Sequence, residues 1–380
     1  MIDNAFGLIV TGERTTRLKD LTLSRSTAAV PYGGRYRSID FILSNLVNAG
    51  VTSVGLITEK NYHSLMDHLG SGKEWDLHRK REGLFILPPF MTKDNAGVFR
   101  GAVDALRSVM GYVRRTSDDY VILSWARMVM NVDLVAMMEQ HLATGADITI
   151  LYAEDGSLQP EEPSQDLRLI LDEKGRVTEM ELDAYRPRSV NRSCDVMILR
   201  KELLEYLVEE AFARGEYDFH RDILLKKCRT LNIMGYKHEG FLARLESIES
   251  YFEGSMALLN PDVQADLFNS KRPIYTKVKD EVAARYSVSA QVKNSLVADG
   301  CIIEGQVENC ILFRGVHVKP GARVFNSIIM QGAELGENTL LDHVILDKGV
   351  KILPGRSLQG YDSFPIVIRK NQTVSALQTP

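Results

Sequence analysis

Four short segments near the C-terminus repeat one another. Asn294-Ser-Leu-Val-Ala-Asp-Gly300 recurs as Asn309-Cys-Ile-Leu-Phe-Arg-Gly315, as Asn326-Ser-Ile-Ile-Met-Gln-Gly332 and as His343-Val-Ile-Leu-Asp-Lys-Gly349. The steps, from 294 to 309, 326 and 343, are 15, 17 and 17 residues. Inside them runs a six-residue beat: Val318, Val324 and Met330, then Leu335, Leu341 and Asp347. An apolar side chain at every sixth position, with Asn and Gly at corners, builds a triangular solenoid of three short strands per coil. A sandwich of alternating strands imposes no fixed 17-residue step. Residues 286–380 are therefore expected to form a parallel β-helix.

The chain ahead of the repeat obeys another rhythm. Apolar runs at 6–10, 51–58, 119–124 and 147–153 alternate with helical spacing at 39–49, 62–69, 102–115 and 134–144. This βαβα order predicts a mostly parallel, doubly wound sheet. A hairpin follows, 167–172 with 176–182 around Gly175, then a strand at 195–199 and a helix at 201–213. The stretch 261–273 is polar and lacks a clear period, so it reads as a linker. The expected division is an α/β domain over 1–260, a linker over 261–285 and the solenoid over 286–380.

Charge narrows the function classes. With 46 Lys and Arg against 50 Asp and Glu, the formal net charge of −4 argues against nucleic-acid binding. There is no apolar run of membrane-spanning length, and the first residues lack a signal peptide's basic and apolar regions, so the expectation is a cytoplasmic protein with no membrane contact. Cys194, Cys228, Cys301 and Cys310 form no CxxC pair and read as small buried hydrophobes rather than zinc ligands or disulfides.

The run at 6–10 leads into Thr11, Gly12, Glu13, Arg14, Thr15, Thr16 and Arg17. A small basic loop after a buried strand is where an α/β sheet binds phosphate. Such a loop wants several glycines, so that the backbone closes on the anion. Here Gly12 stands alone, and the acidic Glu13 follows it.

Arg14-Thr-Thr-Arg-Leu-Lys-Asp-Leu-Thr22, followed by Ala28-Ala-Val-Pro-Tyr-Gly-Gly-Arg-Tyr-Arg-Ser-Ile-Asp-Phe41, closely resembles the glucose-1-phosphate adenylyltransferases, or ADP-glucose pyrophosphorylases. Leu43-Ser-Asn-Leu-Val-Asn-Ala-Gly50, Arg100-Gly-Ala-Val-Asp-Ala105, Asp218-Phe-His-Arg-Asp-Ile223, Ile248-Glu-Ser-Tyr-Phe-Glu253 and the repeat from Asn294 extend the resemblance over nearly the whole chain. It implies a Rossmann-like (GT-A-like) nucleotidyltransferase domain followed by a left-handed parallel β-helix. The implied reaction joins ATP and glucose 1-phosphate into ADP-glucose and pyrophosphate, the committed step of bacterial glycogen synthesis. That chemistry needs positioning, cations on the phosphates and Mg²⁺ held by carboxylates.

The positions that should carry it depart from the family's pattern. Of the glycine-rich loop only Gly12, Arg14 and Arg17 remain, with Glu13 and Thr15 in place of glycines, and Thr27 replaces the phosphate lysine. The first metal carboxylate falls at Ala126 or Arg127 and the second at Arg244, with Glu246 two places on. Arg186, Asp104 and Asp218 are the remnant of the sugar-phosphate pocket. The pattern resembles the GlgD-type subunits found beside a catalytic GlgC-type subunit in some Gram-positive bacteria. This implies a regulatory chain with no catalytic residues and no metal or cofactor of its own, Mg²⁺ being used by the partner. It also implies a heterotetramer with that partner, or a homo-oligomer when alone. Arg25, Arg35 and Arg37 are the candidates for a sugar-phosphate or phosphate effector, the plainer reading being local ion pairs. Two other classes stay open: an active adenylyltransferase whose metal site uses Glu246 or Asp133, and a hexapeptide acyltransferase using His317 or His343. Glu246 is a poor metal carboxylate, and the N-terminal segments count against the acyltransferase.

Overall fold

A computed structural model describes residues 1–12, 17–89, 99–154 and 166–375. The chain divides into two compact units that do not follow chain order. The first holds Met1–Thr15, Phe41–Gly240 and Arg272–Tyr275, and the second Thr16–Asp40, Phe241–Lys271 and Thr276–Pro380.

The first unit is built on a nine-stranded sheet. Its strands are β1 (Ala5–Val10), β2 (Ser53–Ile57), β3 (Gly83–Leu87), β4 (Tyr120–Trp125), β5 (Ile148–Glu154), β6 (Leu167–Leu171), β7 (Val177–Leu182), β8 (Asn191–Arg200) and β9 (Ile233–Lys237). The main path runs β7-β6-β8-β4-β1-β2-β3, with β5 pairing both β8 and β9. Strands β1 to β4 are parallel, as alternation with helices requires. Strand β8 is antiparallel to β4, β5 and β6, so the sheet is mixed. The expected strand at 195–199 proves to be ten residues long, and that length lets it reach both β4 and β6.

Side chains with no polar face, such as Phe6, Leu8, Val121 and Leu123, put β1 and β4 at the centre of the core. The helical spacing at 102–115 resolves into two helices, α1 (Ala102–Ser108) and α2 (Met110–Arg115), broken at Val109. The break lets the Tyr112 ring cover β2 at Gly55, where a Cβ would lie 2.6 Å from the ring. Helices α3 (Leu134–Thr144) and α4 (Lys201–Ala213) coincide with the expected segments.

In the second unit the repeat forms three parallel sheets of six, five and five strands, the faces of the expected left-handed solenoid. Leu296 pairs Ile311, Ile311 pairs Ile328 and Ile328 pairs Ile345, so each coil stacks at the 15, 17 or 17 step of the sequence. Val318, Val324, Met330, Leu335 and Leu341 are all buried. Asn294, Asn309, Asn326 and His343 each take a left-handed backbone conformation at a corner. The asparagine side chains form a ladder, 294 to 309 at 2.8 Å and 309 to 326 at 3.2 Å, which ends on Asp342 at 2.9 Å.

Against the linker expectation, Pro261–Leu267 is a helix, α6. Asn260 caps it and Pro261 occupies its first turn, a start signal that short apolar periodicity conceals. It follows α5 (Ile248–Met256), whose capping box pairs Ser247 with Ser250. The Tyr251 hydroxyl donates to the Pro31 carbonyl at 2.8 Å, tying α5 to the segment Thr16–Asp40. All four cysteines are buried free thiols.

Candidate functional site

The stretch that resembles a triphosphate cradle is shared between the units, its first part following β1 and the remainder, from Thr16, belonging with the coils. Arg14, with Glu13 and Thr15, lies outside the described residues. Thr11 is held by Ile57, its backbone N–H and hydroxyl both donating to that carbonyl, at 3.1 and 3.0 Å. The Glu59 carboxylate lies against Gly12, so a side chain there would have to displace it. Thr27 is buried in a 3-10 turn, where its carbonyl accepts from the Ser38 hydroxyl at 2.8 Å. Arg17 is half-buried.

The turn after β4 carries the first expected metal position. Ala126 is buried, and its N–H donates to Val10 at 3.4 Å. Arg127 turns inward and binds Asp195 of β8, its Nε lying 2.7 Å from the carboxylate and an Nη reaching the same oxygen. The other oxygen of Asp195 lies 3.0 Å from Nε2 of His220, whose ring stands against Trp125. Asp195 is 3% exposed and Arg127 13%, so the charges neutralise each other away from water. Neither Ala126 nor Arg127 has a side-chain oxygen for a cation, and Asp195 is committed to the guanidinium. Among the described residues no three His, Cys, Asp or Glu side chains gather as a ligand set. The residues present at this turn do not fit Mg²⁺.

Asp195 was missing from the sequence-based candidates, yet it had a signal. It is an acid inside the run Asn191–Arg200, every interior member of which is buried, and such an acid needs a partner. The other positions have acquired structural duties. Asp133 caps α3 at 3.0 Å and pairs Arg272 at 3.2 Å. Asp104 accepts from Arg100 at 3.1 Å, whose guanidinium lies over Tyr217. Asp218 caps the following helical turn, Phe219–Leu225, accepting from the N–H groups of His220 and Arg221. Arg186 is exposed. In the second unit Arg244 is half-buried at the end of the short strand Leu242–Arg244, and Glu246 donates its N–H to Ser250 beside the capping box. His317 faces Glu304 at 3.0 Å, and His343 lies between Asp342 and Asp362 at 2.8 and 2.7 Å.

The three effector candidates fall in the second unit among further cations. Arg25 is 2% exposed and binds both oxygens of Asp347 at 2.8 and 2.9 Å. Asp347 is the polar member of the six-residue beat, and Arg25 is what makes it tolerable in the coil. Both contacts come from Nη2 of Arg25, and among the described residues its Nη1 is buried without a hydrogen-bond partner, as is Nε of Arg314. Arg35 and Arg37 follow the turn Gly33-Gly34, both glycines having left-handed backbone angles that a side chain would strain. Burial, then Arg37 and Arg25, lower the Lys348 ammonium to about 7, with Asp347 opposing and Lys279 adding to the shift. Arg314 is held below its usual value by burial and by Arg35. Lys348, Arg314 and Lys279 escaped the sequence reading because they are far from Arg25 in the chain. Excess positive charge with orphaned buried donors is the chemistry of an anion site.

A mixed nucleotide-type sheet joined to hexapeptide coils defines a chain of the sugar-nucleotidyltransferase class. Residues 6–163 match the nucleotidyl transferase family and residues 280–363 the GlmU-like C-terminal hexapeptide family. Over 356 residues the chain is 39% identical to the glycogen biosynthesis protein GlgD of Bacillus subtilis (strain 168), covering 93% of this chain and 92% of that one. It is 33% identical to a glucose-1-phosphate adenylyltransferase of Acetivibrio thermocellus over 350 residues, 91% of this chain and 81% of the relative. It is 30% identical to that of Bacillus cytotoxicus over 359 residues, 94% and 95% of the two chains. The chain belongs to the glucose-1-phosphate adenylyltransferase family, which includes the GlgD proteins.

Proposed function

We propose that this chain is a regulatory, non-catalytic subunit of glucose-1-phosphate adenylyltransferase, acting in glycogen biosynthesis beside a catalytic GlgC-type partner. The observation that supports the reading is the Arg127–Asp195 pair, a neutralised guanidinium at the turn where the resemblance puts a metal carboxylate, at Ala126 or Arg127. Thr27 at the phosphate-lysine position and Arg244 at the second metal position support it. The alternative of an active enzyme with a rearranged metal site is disfavoured, because Asp133 is spent on a helix cap and an ion pair.

In this reading the chain binds no metal, and Mg²⁺ belongs to the partner's site. The two chains assemble as a heterotetramer, and the chain alone forms a homo-oligomer. Contact with this subunit favours the partner's active conformation, with a coupling free energy of about 1–3 kcal/mol. A phosphate or sugar-phosphate effector docks on Arg25, Arg35, Arg37 and Lys348 and biases that equilibrium. Three parallel assays of Mg²⁺-dependent ADP-glucose synthesis test the proposal: this chain, the partner, and the mixture. The expected result is no turnover by this chain and a mixture whose rate or effector response differs severalfold from the partner's. Sustained synthesis by this chain alone overturns the non-catalytic reading. A mixture indistinguishable from the partner overturns the regulatory one.

A further inference from the structure

A separate cavity lies in the first unit, between the edge strand β3 and helix α2. It has a volume of about 490 Å³, within the range of small-molecule sites. Its lining includes Ser53, Glu82 and Asp118, at or just before the amino-terminal ends of parallel strands, whereas the Gly12 and Arg127 turns follow carboxyl ends. Ligands of open α/β sheets sit outside the carboxyl ends, so this cavity is distinct from the family's nucleotide cleft.

Its floor is aromatic and preorganised. Phe85 and Leu87 share one face of β3, since they pair Gly55 and Ile57 of β2. The bare Gly55 lets Tyr112 lie against the sheet, and Ser53 Oγ fixes its hydroxyl at 3.1 Å. Tyr112 and Phe85 meet at 5.2 Å with their planes tilted by 50°. Phe85 nevertheless stays 38% exposed, presenting its remaining surface to the cavity.

The rim carries both signs of charge. Arg81 and Arg115 line the cavity and form no ion pair among the described residues. Asp118 also lines it, its carboxyl raised by burial and then by Glu82, with Lys201 opposing. A purely anionic ligand meets two carboxylates here, and a purely cationic one meets two guanidiniums. A flat ring bearing both a cationic donor and an anionic group satisfies all of them.

We propose that this cavity binds a small aromatic zwitterion, its ring against Phe85 and Tyr112, its amino group on Asp118 and its anionic group on Arg115 and Arg81. L-Tryptophan and L-tyrosine are suitable probes. Phenethylamine and phenylacetate supply each half of the charge pattern, and L-alanine lacks the ring. Ligand-observed NMR and calorimetry on the full chain read the binding, and thermal melting confirms that each variant is folded.

The expected result is saturable binding of the two amino acids, with phenethylamine and phenylacetate each weaker and L-alanine not retained. Asp118→Asn is expected to weaken the amine-bearing probes about tenfold and spare phenylacetate, and Arg115→Ala to do the reverse, the scale of losing one charged hydrogen bond. Phe85→Ser, at an exposed position, is expected to weaken every ring-bearing probe. Absence of saturable binding by either amino acid at 10 mM, which is about the weakest affinity worth the name of a site, overturns the proposal. So does binding that Asp118→Asn and Arg115→Ala leave unchanged.

Discussion

The two units handle buried charge in opposite ways. At the turn after β4, Arg127, Asp195 and His220 close on one another, and the carboxylate accepts from both sides. In the second unit, Arg25 and Asp347 also pair, but Lys348, Arg37, Arg35 and Arg314 add further cations nearby, with Asp299 and Glu281 opposing at Arg314. The first arrangement takes up both oxygens of Asp195. Among the described residues the second leaves Nη1 of Arg25 and Nε of Arg314 without a hydrogen-bond partner, and an ammonium is pushed down to about 7. The turn where the resemblance puts a metal holds an ion pair, while the second unit gathers cations around one acid. The proposed regulatory reading rests on that contrast.

The largest effect is expected from Asp195→Ala, which strands Arg127 beside His220. Removing one partner of a buried pair costs about 3–5 kcal/mol, and denaturant unfolding of the variant reads it. Arg127→Met with Asp195→Leu is expected to lose much less than the sum of the two single changes. A loss below about 1 kcal/mol for Asp195→Ala means that the pair behaves as a surface one and the contrast fails.

Arg25→Ala is expected to cost about 3 kcal/mol by leaving Asp347 charged inside the coil. Adding Asp347→Leu restores an apolar residue to the six-residue beat, so the double variant recovers most of that loss. Failure to recover shows that Arg25 is held by more than Asp347.

Lys348→Met sharpens the other half of the comparison. A lysine with a lowered folded value binds fewer protons than the unfolded chain between about 7 and its ordinary value, so native stability from this group rises with pH across that window. At pH 6 the wild type carries the full cost of the buried charge. Lys348→Met is expected to be more stable there, and the gain to vanish toward pH 10.5. By the same linkage, an anion bound beside Lys348 raises its value, so phosphate affinity falls as pH rises above about 7. The smallest expected effect is none: Ala126→Asp with Arg244→Asp does not restore ADP-glucose synthesis, because Arg127 still holds Asp195 and Thr27 is unchanged. Robust turnover in that variant places the defect in the carboxylates alone.

Much of this was legible in the sequence, for definable reasons. The coil register follows from the 15 and 17 steps, because parallel stacking repeats whatever the chain repeats. Helices α3 and α4 follow from their spacing and flanking turns. Two things were hidden. Helix α6 is too short to display a period, and only its Asn260-Pro261 start announces it. The partners of Arg127 and of Arg25 lie 68 and 322 residues away, and no local pattern links charges across such distances. The departures from the family's pattern were thus readable, but the partners of the residues that stand there were not.

The most direct test follows the thermal melting of the full chain during parallel titrations with inorganic phosphate and with Mg²⁺. The account expects phosphate to raise the melting temperature, more at pH 6.5 than at pH 8 because Lys348 titrates near 7, and Mg²⁺ to leave it unchanged. Stabilisation by Mg²⁺ without any response to phosphate contradicts it.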